Sequence, residues 1–278
     1  MKLFTTAAVL VTLATSSAAA TRTTAWEEDG LKGKVRSVKA VTTTKGKPGE
    51  TSTRTTRYDL EGHRVEWQRA DAKGAQKDRT AYTYSMKGDL VELRYFGPKN
   101  ALETRSTFAY DDKGERTAIS NFDAKGTLKD KTESVYDAKG HETEATRATS
   151  DGTVRERVAY TVDAAGRVTE ERHEDGAGVL TQKIVTVYDA HGYVAKQTTT
   201  DGSGATTAHE SWTNDDDGNK VEWTIHNGDG TVKEAWQYDY KFDKTGNWTT
   251  RTASKVVEKD GKTTTVPTYV TTRTLEYF

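Results

Sequence analysis

Glycine recurs in this chain with a beat of 26 residues, and no other feature restricts its fold as much. Gly62, Gly88, Gly114, Gly140, Gly166, Gly192 and Gly218 each stand 26 residues from the next. A second series, Gly74, Asn100, Gly126, Gly152, Gly178, Gly204 and Gly230, keeps the same step between them. Turn signals therefore alternate at spacings of 12 and 14 residues. A fixed period of this length is the mark of a repeat architecture.

The residues around each glycine say what the beat is for. In YDLEG (58–62), YDDKG (110–114), YDAKG (136–140), VDAAG (162–166) and YDAHG (188–192), an aspartate opens a four-residue turn. Asp59, Asp111, Asp137, Asp163, Asp189 and Asp215 can each accept backbone N–H groups a few residues on. The closing glycine supplies φ > 0, which suits a type I turn followed by a G1 bulge. In the second series Asn100 replaces glycine, and SDGT and NGDGT read as tighter turns of the Asp-Gly type.

Removing the turns leaves segments of about eight to ten residues, an ordinary strand length. Apolar residues alternate where they occur, as at Val158, Tyr160 and Val162 or Val221, Trp223 and Ile225. Period two with short turns predicts consecutive antiparallel strands. The expected fold is all-β: a long antiparallel β-meander of hairpin repeats, about sixteen strands, coiled or partly closed as a single-layer sheet. Three forms compete, namely an open coiled meander, a closed barrel and a transmembrane barrel. Charges such as Glu142, Glu144, Arg155, Glu156 and Arg157 fall on both strand faces, which argues against the last. Tyr58, Tyr84, Tyr110, Tyr136 and Tyr188 each precede the residue that opens a turn, and at constant register they predict an aromatic ladder across hairpins.

Residues 1–20 have one early cation, an apolar stretch and Ala18-Ala19-Ala20, the layout of a cleaved signal peptide. The expected organisation is 1–20 signal peptide, 21–57 N-terminal capping strands, 58–246 hairpin repeats and 247–278 C-terminal capping strands. An exported protein, periplasmic or secreted, follows, with no spanning segment after cleavage. It contains no cysteine, so burial and backbone pairing must hold it. Removing Lys2 leaves 40 Lys+Arg against 42 Asp+Glu. That balance recommends neither a nucleic acid nor an anionic membrane as partner.

The YDxxG turns, with an aromatic residue two positions before the turn aromatic as at Tyr82 and Phe108, resemble YD repeats, also called RHS or wall-associated repeats. The 26-residue form is similar to small exported bacterial proteins built of little else. Segments 31-LKGKVRSVKAVTTT-44, 238-YDYKFDKTGNWTTR-251 and 271-TTRTLEYF-278 look like their opening and closing segments, so the resemblance runs from Leu31 to Phe278. It implies the fold and the export. In large YD-repeat proteins it implies a sheet that winds into a shell or presents carbohydrate-binding surfaces.

Catalytic signals are sparse. His63, His141 and His191 lie beside turns and read as solvated, and no histidine spacing suits zinc. The stretch 213-TNDDDGNKVE-222 partly echoes a calcium loop, but Thr213 occupies its first ligand position. There is no G-x-S-x-G and no phosphate loop. The expectation is no catalytic residue, no metal and no cofactor. Trp212, Trp223 and Trp236 are the candidate ligand-binding residues, offering rings to stack on a sugar, against the reading that they are core. Trp26 has no assigned role. The expected function is non-catalytic: a sheet surface that binds a protein or cell-surface glycan partner. A polysaccharide-directed enzyme with a groove around residues 200–236, or a purely structural envelope scaffold, are the alternatives.

Overall fold

A computed structural model describes residues 23–47, 50–259 and 262–278; the signal-peptide reading of residues 1–20 lies outside them. A single helical turn, α1 (Ala25–Glu28), precedes the sheet. The strands are β1 (Val35–Thr44), β2 (Thr51–Tyr58), β3 (Arg64–Ala70), β4 (Gln76–Tyr84), β5 (Leu90–Phe96) and β6 (Leu102–Tyr110). They continue as β7 (Arg116–Asp123), β8 (Leu128–Tyr136), β9 (Glu142–Thr149), β10 (Val154–Val162), β11 (Val168–Asp175) and β12 (Leu180–Tyr188). The last six are β13 (Val194–Asp201), β14 (Thr206–Asn214), β15 (Lys220–His226), β16 (Val232–Phe242), β17 (Trp248–Lys259) and β18 (Lys262–Tyr277).

Each strand pairs antiparallel with its sequence neighbours, and β18 returns to pair with β1. The meander is thus an 18-stranded closed barrel. It has two strands more than the expected sixteen or so, and the single layer closes completely. Closure rests on a register from Val35↔Tyr277 to Thr44↔Tyr269, with one bulge. Without it both terminal strands would present unpaired edges.

The turns form as their residues dictate. Asp59 Oδ1 accepts the Glu61 and His63 amides at 3.1 and 2.8 Å, and Asp137 Oδ1 accepts those of Lys139 and His141 at 2.8 and 2.9 Å. The Gly140 amide returns to the Asp137 carbonyl at 3.0 Å, and Gly140 has φ +82°. The other rim uses the same device. Gly152 donates to Thr149 and Gly230 to Asn227, at 2.9 Å each. The expected tight Asp-Gly turns are therefore four-residue turns opened by Thr149 and Asn227. The Thr149 hydroxyl, followed by the Thr153 amide, draws the Asp151 pKa down to about 2.

All the YDxxG-type turns lie on one rim of the barrel, because each joins an even strand to the next odd one. At that rim the repeats are not joined to each other. The β3–β4 ladder runs out at Glu66↔Ala81, leaving carbonyls beyond it unpaired. The tyrosines close this gap. Tyr84, Tyr110, Tyr136, Tyr188 and Tyr240 donate their hydroxyls to the carbonyls of Arg64, Leu90, Arg116, Val168 and Lys220 at 2.8–2.9 Å. Asn214, where the tyrosine is missing, does the same to Val194 at 3.0 Å. The expected ring-on-ring ladder is absent from these positions. Successive turn tyrosines are two strand spacings apart, about 10 Å, too far to stack.

Register assigns the two faces. Outward positions carry Glu66, Arg79, Arg105, Arg157, Arg172 and Lys196, many in cross-strand ion pairs such as Arg105–Glu92 at 3.3 Å. A lipid-facing wall carries an apolar band there instead. Inward positions carry the tyrosines and tryptophans. Eighteen strands enclose more space than side chains can fill; barrels of 16–18 strands leave an aqueous channel. Among the described residues only Val35 and Asn247 are large side chains buried completely. The lumen wall is accordingly only half-buried.

The staple makes a two-way prediction. Tyr136→Phe should lower unfolding free energy by about 1 kcal/mol, the net value of one hydrogen bond. Val162→Tyr, which installs the missing hydroxyl, should raise it by a similar amount in denaturant titrations; neutrality of both would remove the staple from the account. Burial, with Glu142 second, pushes the Tyr136 pKa up from 10.0 to about 12. Its contribution is therefore intact below pH 10 and lost as pH climbs toward 12, so the Tyr136→Phe variant should lose less stability than the parent chain in that window.

Candidate functional site

One end of the lumen is stoppered by the N-terminal segment. Thr24 caps α1 in a capping box with Glu27, which turns the chain into the YDxxG rim. Trp26 donates its indole N–H to the Val35 carbonyl at 2.7 Å and lies against Gly62, where a Cβ would come within 2.6 Å of the ring. The Asp29 carboxylate receives both the Tyr58 hydroxyl at 2.5 Å and the Arg64 guanidinium at 2.8 Å. Leu31, Val35, Val38 and Tyr58 form the one apolar cluster of buried side chains among the described residues. Farther round the rim, Asn247 bonds the Lys32 backbone through both its amide atoms, accepting the Lys32 N–H at 2.8 Å and donating to its carbonyl at 2.7 Å, and its Nδ2 also donates to the Tyr277 hydroxyl at 2.9 Å. This gives Trp26, unassigned from sequence, a role as the stopper's anchor. A four-residue helix has no periodicity to betray it, so only the capping pair Thr24–Glu27 could have signalled it.

Away from the stopper the wall is aromatic. Trp212 stands directly opposite Trp223, and Trp223 directly opposite Trp236. The three candidate residues therefore form one cross-strand row on the lumenal face of β14, β15 and β16. The structure brings all three together, each half-buried. Trp236 stacks on Tyr269 with ring centroids 5.8 Å apart. Acceptors and cations flank the rings. Trp223 donates to Glu210 at 2.8 Å, Trp236 to Glu234 at 3.3 Å, and Lys255 reaches Glu234 at 3.2 Å. Lys220 Nζ sits 4.6 Å from the Trp212 ring centre. Rings that present one face to water, fringed by hydrogen-bonding groups, suit a flat amphipathic ligand.

Other candidates resolve into structure. His63 and His141 are not solvated. Each bonds its own turn aspartate at 3.0 Å and lies over the glycine of the next YDxxG turn, Gly88 or Gly166, so each repeat leans on the one after it. His191 is the exposed one. In 213–222, Asp215 accepts the Asp217 and Asn219 amides at 3.1 and 2.8 Å, while Asp217 pairs with Lys32 at 2.9 Å. No cluster of three or more metal-ligating side chains occurs among the described residues. Residues 200–236 continue the wall without departing from the repeat.

No family model matches the chain, and no curated protein does. Among solved structures it is similar to a porin-like protein from Bacteroides uniformis, at 12% identity and TM-score 0.49, covering 87% of this chain and 98% of that one. It is also similar to a porin-like protein from Bacteroides vulgatus, at 10% identity and TM-score 0.27, covering 88% and 98%. The Photorhabdus luminescens Tc holotoxin pore is a third, at 12% identity and TM-score 0.34, covering 81% of this chain and 15% of that one.

The stopper predicts a difference between two equivalent glycines. Gly62 and Gly74 have φ of +86° and +81°, so alanine at either incurs about 1–2 kcal/mol of left-handed strain. Only Gly62 has a ring behind it. Gly62→Ala should therefore destabilise more than Gly74→Ala and expose Trp26 to a fluorescence quencher. Equal losses with Trp26 still shielded would show that the ring does not seat there.

Proposed function

We propose that this is an exported, non-catalytic β-barrel of the YD-repeat kind that binds a cell-surface glycan on its lumenal aromatic wall. The observation that carries the reading is the cross-strand row Trp212–Trp223–Trp236, with Glu210 and Glu234 beside it. A row of three rings spans two strand spacings, about 10 Å, a length suited to successive sugar rings. The carboxylates beside them can accept hydroxyl groups. Such a wall costs stability if it serves only as core, since half of each ring stays wet.

The charged outer wall supports a barrel surrounded by water. No helix among the described residues is long and apolar enough to cross a membrane. On this reading the lumen is a recess open to solvent, stoppered at one rim and entered from the other.

Screening the full chain on an array of cell-surface glycans, followed by titration of the best ligand, tests the reading. Trp223→Ala and Trp236→Ala should each weaken binding about tenfold, or roughly 1.4 kcal/mol. Unchanged affinity would overturn the proposal. Breakdown of the bound glycan would point to the polysaccharide-directed enzyme, and an array with no ligand to a structural scaffold.

A further inference from the structure

Cations on the lumen wall outnumber the carboxylates placed to meet them at the closure seam. Arg69 is matched by Asp78 and Lys255 by Glu234. Arg54, Arg251, Arg273 and Lys220 form no ion pair among the described residues. Arg273 even keeps a buried Nε with no hydrogen-bond partner. An unpaired buried guanidinium N–H is costly, and a cluster of like charges adds to the cost.

Register places these groups around one depression. Arg54 and Arg273 stand directly on either side of Ala40, and Arg251 stands opposite Thr271. Thr271 faces Thr42, which faces Ser52. The floor between the three arginines is therefore built of small side chains, with the Thr42 and Thr271 hydroxyls 2.8 Å apart. Burial, then the neighbouring Arg69 and Arg251, lower the Arg54 pKa, and burial with a smaller contribution from Arg251 lowers those of Arg273 and Lys220. Arg54 and Arg251 are three strand spacings apart, about 14 Å along the sheet, and stand on the same, concave face. Asp29 acts in the opposite sense on Arg54 and Arg273, but Arg64 and Tyr58 already hold it.

Aromatic rings alternate with the cations. Arg54 lies 5.5 Å from the Trp67 ring centre, Arg273 4.1 Å from that of Trp248, and Arg251 5.5 Å from it. The stripe runs on through Lys220 to Trp212, where the tryptophan row begins. A ligand laid round this wall meets a ring face and a positive charge in turn.

We propose that the barrel takes an acidic polysaccharide, a polymer with carboxylate or sulfate groups, whose anionic groups reach Arg54, Arg251 and Arg273 over the small-residue floor. The inference rests on the glycan reading above and adds the charge class of the ligand. A single-stranded nucleic acid also stacks and pairs with such stripes. A DNA strand offers few hydroxyls, however, whereas each sugar ring offers several to the Glu210 and Glu234 carboxylates beside the tryptophans. The hydroxyl floor and the spread of four cations over several strands favour the polysaccharide.

The test compares polygalacturonate, dextran sulfate, neutral dextran and an oligothymidylate, titrated calorimetrically into the full chain. The same titrations use Arg251→Gln/Arg273→Gln and, as a control of equal charge loss on the outer wall, Arg172→Gln/Lys196→Gln. The expected result is binding of an acidic polysaccharide that weakens at least tenfold in the lumenal double variant, weakens with salt, and is unchanged in the control. Neutral dextran bound as well as dextran sulfate, with the arginine variant unaffected, would overturn the charge class and leave the glycan reading standing. Preference for oligothymidylate would overturn the inference in favour of a nucleic acid. Equal losses in both double variants would overturn the seam as the site. Binding of none of the four would overturn it too, and the glycan array then decides whether the broader reading falls with it.

Discussion

The pairing of β1 with β18 is the interaction on which the rest of the structure depends. Every other strand finds both partners by following a short turn, so local chemistry suffices for it. The first and last strands are more than two hundred residues apart, and their ladder must form across the whole chain. Once formed, it removes the only two edges of the sheet and encloses the lumen. It also sets the arginines of β2, β17 and β18 around Ala40 and Thr271. The stopper adds to the same seam. Asn247 ties Lys32 to Tyr277, and the Phe278 amide bonds the Lys34 carbonyl at 3.1 Å.

A wide barrel with so thin a wall has little apolar burial from which to draw stability. The apolar cluster of Leu31, Val35, Val38 and Tyr58 lies under the stopper. Elsewhere the protein relies on devices repeated at most hairpins: a carboxylate gathering turn amides, a glycine at positive φ, and a tyrosine hydroxyl reaching the preceding repeat. This resembles the energetics of repeat proteins, where each unit depends on contact with its neighbours. The faces then diverge. The outer wall spends its side chains on ion pairs and threonines suited to water, while the inner wall collects rings and cations that the fold does not need for closure. That surplus is the reason to locate function in the lumen.

Much of this was legible in the sequence, for physical reasons. Asp59, Gly62 and their equivalents dictate a turn within five residues, so the hairpins, their spacing and the all-β class can be read directly. The turns at Thr149 and Asn227 were misread because the Asp-Gly pair lies inside a longer turn opened by a different residue. The role of the tyrosines was only half legible: position predicts their common face, but the hydroxyl's partner is a carbonyl twenty residues back whose freedom depends on where a ladder ends. Trp212, Trp223 and Trp236 could be nominated by type. That they stand directly opposite one another depends on one-residue bulges after each turn, which shift the register. Closure and the stopper had no local signal at all, since both join segments distant in the chain.

A pair of cysteines at Val41 and Thr272 tests closure most directly. These residues face each other across the β1–β18 ladder on the outer wall, at a separation a disulfide can span. The chain contains no other cysteine, so oxidation can join only these two. The closed barrel predicts rapid formation of an intramolecular disulfide in the folded protein, with stability maintained or raised. A folded double variant whose thiols both remain free under oxidation would mean the two strands are not neighbours, and the ring is open.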